Sequence, residues 1–257
     1  MAARTTLALL PLVGAVGWSA NAKLTRMRHE TRAPPGGEAL EFVTGSMNDT
    51  IMETLETGDL ILFQRKLTAL QPLAALHTWV TRLQLRPRFD HCGWIYVDRL
   101  GRKYIVEETL DKVQCRPYSA RLLTSEAIEI SVLPLKLERS KEIQEAASSF
   151  IASSAGRASR ISLLHTAYAL ISPDKLYRSS SNAVPLFPAA AFVVEAYDAM
   201  GLVDKNRLND NQPPLSAAVV TPRDLATRKV ELQVPTGQRS GGAKRPAFGR
   251  LIPIRLQ

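Results

Sequence analysis

Phe89-Asp90-His91-Cys92-Gly93-Trp94-Ile95-Tyr96-Val97, the turn Asp98-Arg99-Leu100-Gly101 and the return run Tyr104-Ile105-Val106-Glu107-Glu108 decide the fold. Residues 92–97 are rich in β-branched and aromatic types, a glycine-containing turn follows, and 104–106 resume the same pattern, which is a hairpin signature. Opposed side chains on adjacent antiparallel strands come within hydrogen-bond reach, so His91 and Glu107 are expected to meet. A register slip of one residue would turn Glu108 inward in its place, and both readings stand at this point. Cys92 alternates away from His91, so its thiol should pack in the core.

Working outward, Gly58-Asp59 punctuates the chain before Leu60-Ile61-Leu62-Phe63, a short apolar run that reads as a buried strand. A structured block with Ile51, Met52 and Leu55 precedes it, and a further strand is expected over residues 127–133. Residues 67–85 carry Leu70, Leu73, Ala74, Leu76, Trp79, Val80 and Leu83 at helical spacing, as one apolar face, closed by Arg86-Pro87. Helices are expected over 140–155, 161–171 and 189–200, the last ending at Gly201, with a polar loop at 172–181. Thr221-Pro222 reads as an N-cap followed by proline at the first helical position. The fold class expected is α+β, a small antiparallel sheet with helices packed on it.

Charge is unevenly placed. The chain of 257 residues carries a formal +9, of which residues 1–40 hold +3 and residues 236–257 hold +5, through Arg239, Lys244, Arg245, Arg250 and Arg255. The body between is close to neutral, so its surface is not that of a nucleic-acid-binding domain. Basic ends dock on RNA, anionic lipid or an acidic protein face, or serve solubility alone. The organisation expected is a targeting or anchoring segment with its linker (1–40), one domain (41–235) and a basic extended tail (236–257). In the first part, residues 5–20 are almost wholly apolar or small, with Lys23, Arg26 and Arg28 after them and no acid before Glu30. A mitochondrial targeting segment, a short membrane anchor and a secretory signal all compete for this stretch.

Two cysteines, Cys92 and Cys115, do not make a disulfide framework, and no Cys/His spacing suits a metal. Gly36-Gly37 and Gly241-Gly242 lack the strand and helix of a phosphate loop. The sequence therefore implies neither metal nor cofactor. His77 and His165 sit in apolar helical stretches and read as core histidines, and Trp94, Tyr96, Tyr104 and Phe192 as core aromatics.

Several of these stretches, in order, resemble the circularly permuted papain-like cysteine hydrolases, a group that includes bacterial cell-envelope amidases and is kin to the lecithin:retinol acyltransferases. Thr57-Gly58-Asp59-Leu60-Ile61-Leu62-Phe63 is similar to that family's opening strand. Phe89-Asp90-His91-Cys92-Gly93 is similar to its serine-histidine-hydrophobe-glycine strand, and Tyr104-Ile105-Val106-Glu107-Glu108-Thr109 to the strand after it. Val113 with Arg116-Pro117-Tyr118 fits the segment that follows. Residues 189–202 resemble the nucleophile helix, which normally begins Cys-Ser-Glu and ends before Gly-Leu, and Val220-Thr221-Pro222-Arg223-Asp224-Leu225-Ala226 fits the close. The resemblance covers residues 53–230 and implies a permuted papain-like core with His91 as base and Glu107 as its orienter. It implies a thiol at the first turn of the later helix, where the helix dipole and a protonated histidine lower its pKa.

That position holds Ala189, followed by Ala190 and Ala191. A methyl group cannot attack a carbonyl. His91 and Glu107 are then a vestigial base and orienter, and the expected function is that of a pseudoenzyme acting as an accessory subunit of a larger assembly. Its partners would be other protein subunits, gripped partly by the basic tail, with membrane contact through residues 5–20 and nucleic acid only if the assembly is ribosomal. The location expected is mitochondrial with membrane association, the secretory pathway being the alternative. An active thiol hydrolase or acyltransferase with a different nucleophile, and a non-catalytic acyl- or peptide-binding module, are the competing functions.

Overall fold

The computed structural model describes residues 14, 16–24, 40–85, 87–109, 111–160, 185, 187–203, 220–230, 232–233 and 247–256. The elements in chain order are α1 (Met47–Thr54), β1 (Leu60–Arg65), a 3-10 turn (Leu67–Ala69), α2 (Pro72–Leu85), β2 (His91–Val97), β3 (Lys103–Glu108) and β4 (Val113–Pro117). There follow α3 (Tyr118–Leu123), β5 (Ala127–Leu133), β6 (Leu135–Lys136), α4 (Lys141–Ser154), α5 (Pro188–Ala199), α6 (Pro222–Ala226), β7 (Ala247–Phe248) and β8 (Ile252–Ile254). The fold is α+β: a six-stranded antiparallel sheet in the order β4-β3-β2-β1-β5-β8, with helices against it. The expected helix at 161–171, the loop at 172–181 and the linker at 32–37 lie outside the described residues.

β1 reads as an unbroken apolar run because it is central and covered on both faces. Leu60 and Leu62 join Cys92, Trp94 and Val106 on one face, against Ala190, Phe192, Val193 and Tyr197 of α5 and Ile143 and Ala147 of α4. Ile61 and Phe63 join Ile95 and Ile105 on the other, against Tyr118 and Leu122 of α3 and Ile51 of α1. Each fully buried Leu, Ile, Val or Phe among these contributes about 1.5–3 kcal/mol. Tyr197 adds a polar tie, its hydroxyl donating to the Gly58 carbonyl at 2.6 Å inside the core.

Helix ends follow local chemistry. Ser46 and Ser140 accept from backbone N–H groups of the first turns of α1 and α4. Thr221 and Asp224 form a reciprocal capping box on α6, with Pro222 at its start. α5 closes in a Schellman turn: Leu202 N–H donates to Tyr197 O at 2.8 Å and Gly201 N–H to Asp198 O at 2.9 Å, with Gly201 at φ +71°.

Two expectations change. The apolar set of 67–85 is not one face: Pro72 starts α2 only after the 3-10 turn, Leu70 and Ala74 are buried, and Leu76, Trp79 and Leu83 point outward. Within the stretch expected as an extended tail, 236–257, the described residues 247–256 form strands paired to the body. β8 pairs with β5 (Ile130 opposite Ile254), β7 pairs with β6, and Phe248 and Ile254 are buried. Pro253 concealed this strand; it is tolerated because β8 lies at the sheet edge, where a missing N–H costs no ladder bond. Of the five tail cations, Arg239, Lys244 and Arg245 lie outside the described residues.

Candidate functional site

His91 is the first residue of β2, and its side chain shares a sheet face with Phe63, whose ring centroid is 5.8 Å away. The ladder sets Trp94 opposite Val106, and continuing that register puts Gly93 opposite Glu107 and His91 one diagonal step away. The carboxylate reaches across that diagonal, so His91 Nε2 stands 2.6 Å from Glu107 Oε2. Gly93 makes this reach available. A Cβ there would lie 3.1 Å from the Glu107 Cβ and 2.9 Å from the Val106 carbonyl oxygen.

Glu107 is fully buried and receives more than the imidazole. Arg121 donates to it through Nε at 2.6 Å and Nη2 at 3.2 Å, and Arg116 Nη2 donates to Oε1. Burial alone would raise the Glu107 carboxyl, but Arg121, His91 and Arg116 outweigh it and hold it well below the usual carboxylate range. Burial and then Arg65 push the His91 imidazole down, against the pull of Glu107. An ionised carboxylate only accepts, so His91 is a neutral imidazole donating Nε2–H, with Nδ1 left as the basic nitrogen. That is the protonation state a general base needs.

Glu108 points to the opposite face. It takes Arg160 Nη2 at 2.8 Å and the Arg160 backbone N–H at 3.0 Å, and Arg157 and Arg160 also hold Glu195 of α5. The glutamate beside His91 is thus Glu107. Asp90 was not legible as a site residue, yet it is a buried hub, bound by Arg65 Nε at 2.8 Å and by Arg82 from α2. The sequence signal was faint: an acid inside an apolar strand approach, with its arginines 25 and 8 residues away.

α5 covers the sheet face of Cys92, Trp94 and Val106, not the face of His91. The two meet where β2 begins, at a cavity of about 30 Å³ bordered by Asp90, His91, Phe187, Pro188 and Ala189. Ala189, Ala190 and Ala191 are all buried, so the first turn of α5 presents methyl groups and no polar side chain. Thr109 supplies the one hydroxyl among the described residues lining this cavity, and it is tied into a turn, donating to the Lys112 carbonyl at 2.8 Å. Cys92 is fully buried on the α5 face and burial drives its thiol far above the ordinary range. Cys115 is exposed on β4 opposite Val106, and so on the face away from His91. His77 is buried edge-on to Phe187, and Trp94 and Phe192 lie in the core. His165 and residues 179–181 lie outside the described residues.

On the Glu107 side the surface opens into a groove of about 560 Å³, bordered by Arg65, His91, Arg116, Arg121, Leu70 and Ala74. Among the described residues, no three His, Cys, Asp or Glu side chains are arranged to hold a metal ion. Among them, too, no helix is long and apolar enough to cross a membrane.

No protein-family profile and no curated protein matches the chain. Among solved structures it is similar to the metalloprotein YiiX of Escherichia coli O157:H7, described as DUF1105, at 16% identity and a TM-score of 0.39. That likeness covers 76% of this chain and 96% of the other. A likeness at this level assigns neither a family nor an activity.

Proposed function

We propose that this chain is a catalytically silent relative of the permuted papain-like cysteine hydrolases that serves as an accessory subunit of a larger assembly. The observation that carries the reading is Ala189. A neutral, oriented imidazole borders a cavity whose far wall is the first turn of a helix, and that turn, Pro188 to Ala191, carries no nucleophile. A base with nothing to activate cannot run nucleophilic catalysis. The acid-free apolar N-terminus and a sequence pI near 9.8 support a mitochondrial assembly with membrane association. Affinity purification of the full-length protein from its native cells in mild detergent tests the proposal. Partners recovered in fixed ratio support it, whereas an unaccompanied monomer sinks it.

The groove beside Glu107 favours a second reading, a binding module that holds a small ligand without turning it over. Its volume lies within the range of ligand sites, and cationic, acidic and apolar side chains all line it. Native mass spectrometry of the purified protein separates the two readings by the presence or absence of a co-purified small molecule.

A further inference from the structure

Among its described side chains, α2 turns its large apolar residues outward. Its inward side carries small and polar residues: Ala74 and Ala75 at 2% exposure, with His77, Thr78 and Thr81 buried and Arg82 reaching in to Asp90. Its outward side carries Leu76, Trp79 and Leu83, exposed to 54%, 50% and 59%. These recur at helical spacing, so they form one apolar ridge. Large apolar residues on the solvent side of a helix whose polar residues face the protein mark a surface built for something other than water.

Charge and area choose the occupant. From Lys66 to Phe89 the chain has four cations, Lys66, Arg82, Arg86 and Arg88, and no acid. Lys66 and Arg88 bracket α2 and are 49% and 63% exposed. Lys66 meets Glu126 in a surface pair that is worth little and leaves it able to turn to another anion, while Arg88, held by Glu129 through Nε and Nη2, keeps its guanidinium at the exposed rim of the ridge. Tryptophan and leucine on one face with bracketing cations is the pattern of a helix lying in the headgroup region of an anionic bilayer. A protein partner would fit less well. Three half-exposed side chains offer on the order of 300 Å², well under the roughly 800 Å² per partner of a stable protein interface. The helical residues 16–24 repeat the chemistry, with Val16 and Leu24 exposed and Lys23 beside them.

We infer that the outer face of α2 is a membrane-docking surface that seats on anionic phospholipid through Leu76, Trp79 and Leu83. This goes beyond the accessory-subunit reading and does not depend on it. The test uses the full-length protein with vesicles of phosphatidylcholine, alone or mixed with phosphatidylserine. Binding should require the anionic lipid and weaken with salt. The variant Leu76→Ser/Trp79→Ser/Leu83→Ser should lower the partition coefficient roughly tenfold or more. Leu100→Ser, which changes an exposed leucine in the β2–β3 turn, should leave it unchanged. Because residues 5–20 are the other candidate lipid contact, a second readout isolates α2. In a full-length Trp18→Phe variant the remaining tryptophans are Trp79 and the buried Trp94, so brominated lipid should quench Trp79. Absence of that quenching overturns the inference, as does equal partitioning of the triple variant and the unaltered protein. A concentration-dependent dimer abolished by the triple variant would also overturn it, in favour of self-association.

Discussion

The Nε2 of His91 stands 2.6 Å from Oε2 of Glu107, diagonally across β2 and β3. The pair has a structural role of its own: Glu107 also holds Arg116 and Arg121, so it joins β3 to β4 and α3. Removing a buried charge from such a network leaves its partners unpaired, which costs far more than the network contributes over an apolar replacement.

Glu107→Gln should therefore destabilise the fold by about 3–5 kcal/mol, through two arginines left facing a neutral amide. Urea denaturation of the purified variant measures this. A loss below about 1 kcal/mol would show that solvent already screens the cluster.

The pH dependence has a definite sign. His91 is lowered from its ordinary 6.5, so below pH 6.5 the unfolded chain takes up a proton that the folded chain refuses. Stability is complete above that value and falls as pH drops toward the lowered one. Glu107 is depressed well below 4.5, so its contribution holds above 4.5 and is lost on further acidification. Asp59, raised by burial, slopes the opposite way in the acid range, so the comparison of variants is the reading. His91→Gln should remove the onset near 6.5 and keep the fall below 4.5. A variant whose curve parallels the unaltered protein would disconnect His91 from that onset.

Gly93→Ala should cost about 1–3 kcal/mol, the usual penalty for forcing a methyl into a packed site. The nearest obstacles, the Val106 carbonyl and the Glu107 Cβ, are backbone or close to it, so neither yields easily. Thermal denaturation reads the loss, and an unchanged midpoint would mean that β2 and β3 part without strain.

Much of the sheet was legible because its strands are short apolar runs between turn signals, and His91 with Glu107 was legible because the hairpin register brings them together. The rest was hidden by long-range partners. Arg116 and Arg121 meet Glu107 only because β4 and α3 fold back on β3, and neither element has a strong periodicity of its own. The choice between Glu107 and Glu108 needed the register, which period-two alternation leaves open to a one-residue slip. The apolar set of residues 67–85 was visible in sequence, but its division between protein and solvent was not. Helical periodicity shows that a face exists without saying whether protein or solvent lies against it.

Thiol labelling distinguishes a silent site from a hidden nucleophile. Under native conditions one equivalent of reagent should react, at Cys115, while Cys92 stays protected by full burial and a raised pKa. Intact-mass analysis followed by peptide mapping locates the adduct. Rapid labelling at Cys92 would revive the hydrolase reading, since a reactive thiol there must be reachable and ionised.

The C-terminal strand offers the sharpest contrast between composition and structure. Residues 236–257 hold five cations and no acid, the make-up of a solvated tail, and a tail can be altered without cost. Yet Ile254 is 7% exposed and stands opposite Ile130 on β5, packing into the cluster that contains Phe63 and Val132. Ile254→Ala should then destabilise the protein by about 2 kcal/mol, the low end for a buried aliphatic because an edge strand relaxes more readily than a central one. Arg255→Ala, at the exposed neighbour of Ile254, is the control and should be neutral. Urea denaturation midpoints compare the two. Equal midpoints would detach β8 from the folding unit, whereas the expected gap makes residues 252–254 part of the domain that β5 anchors.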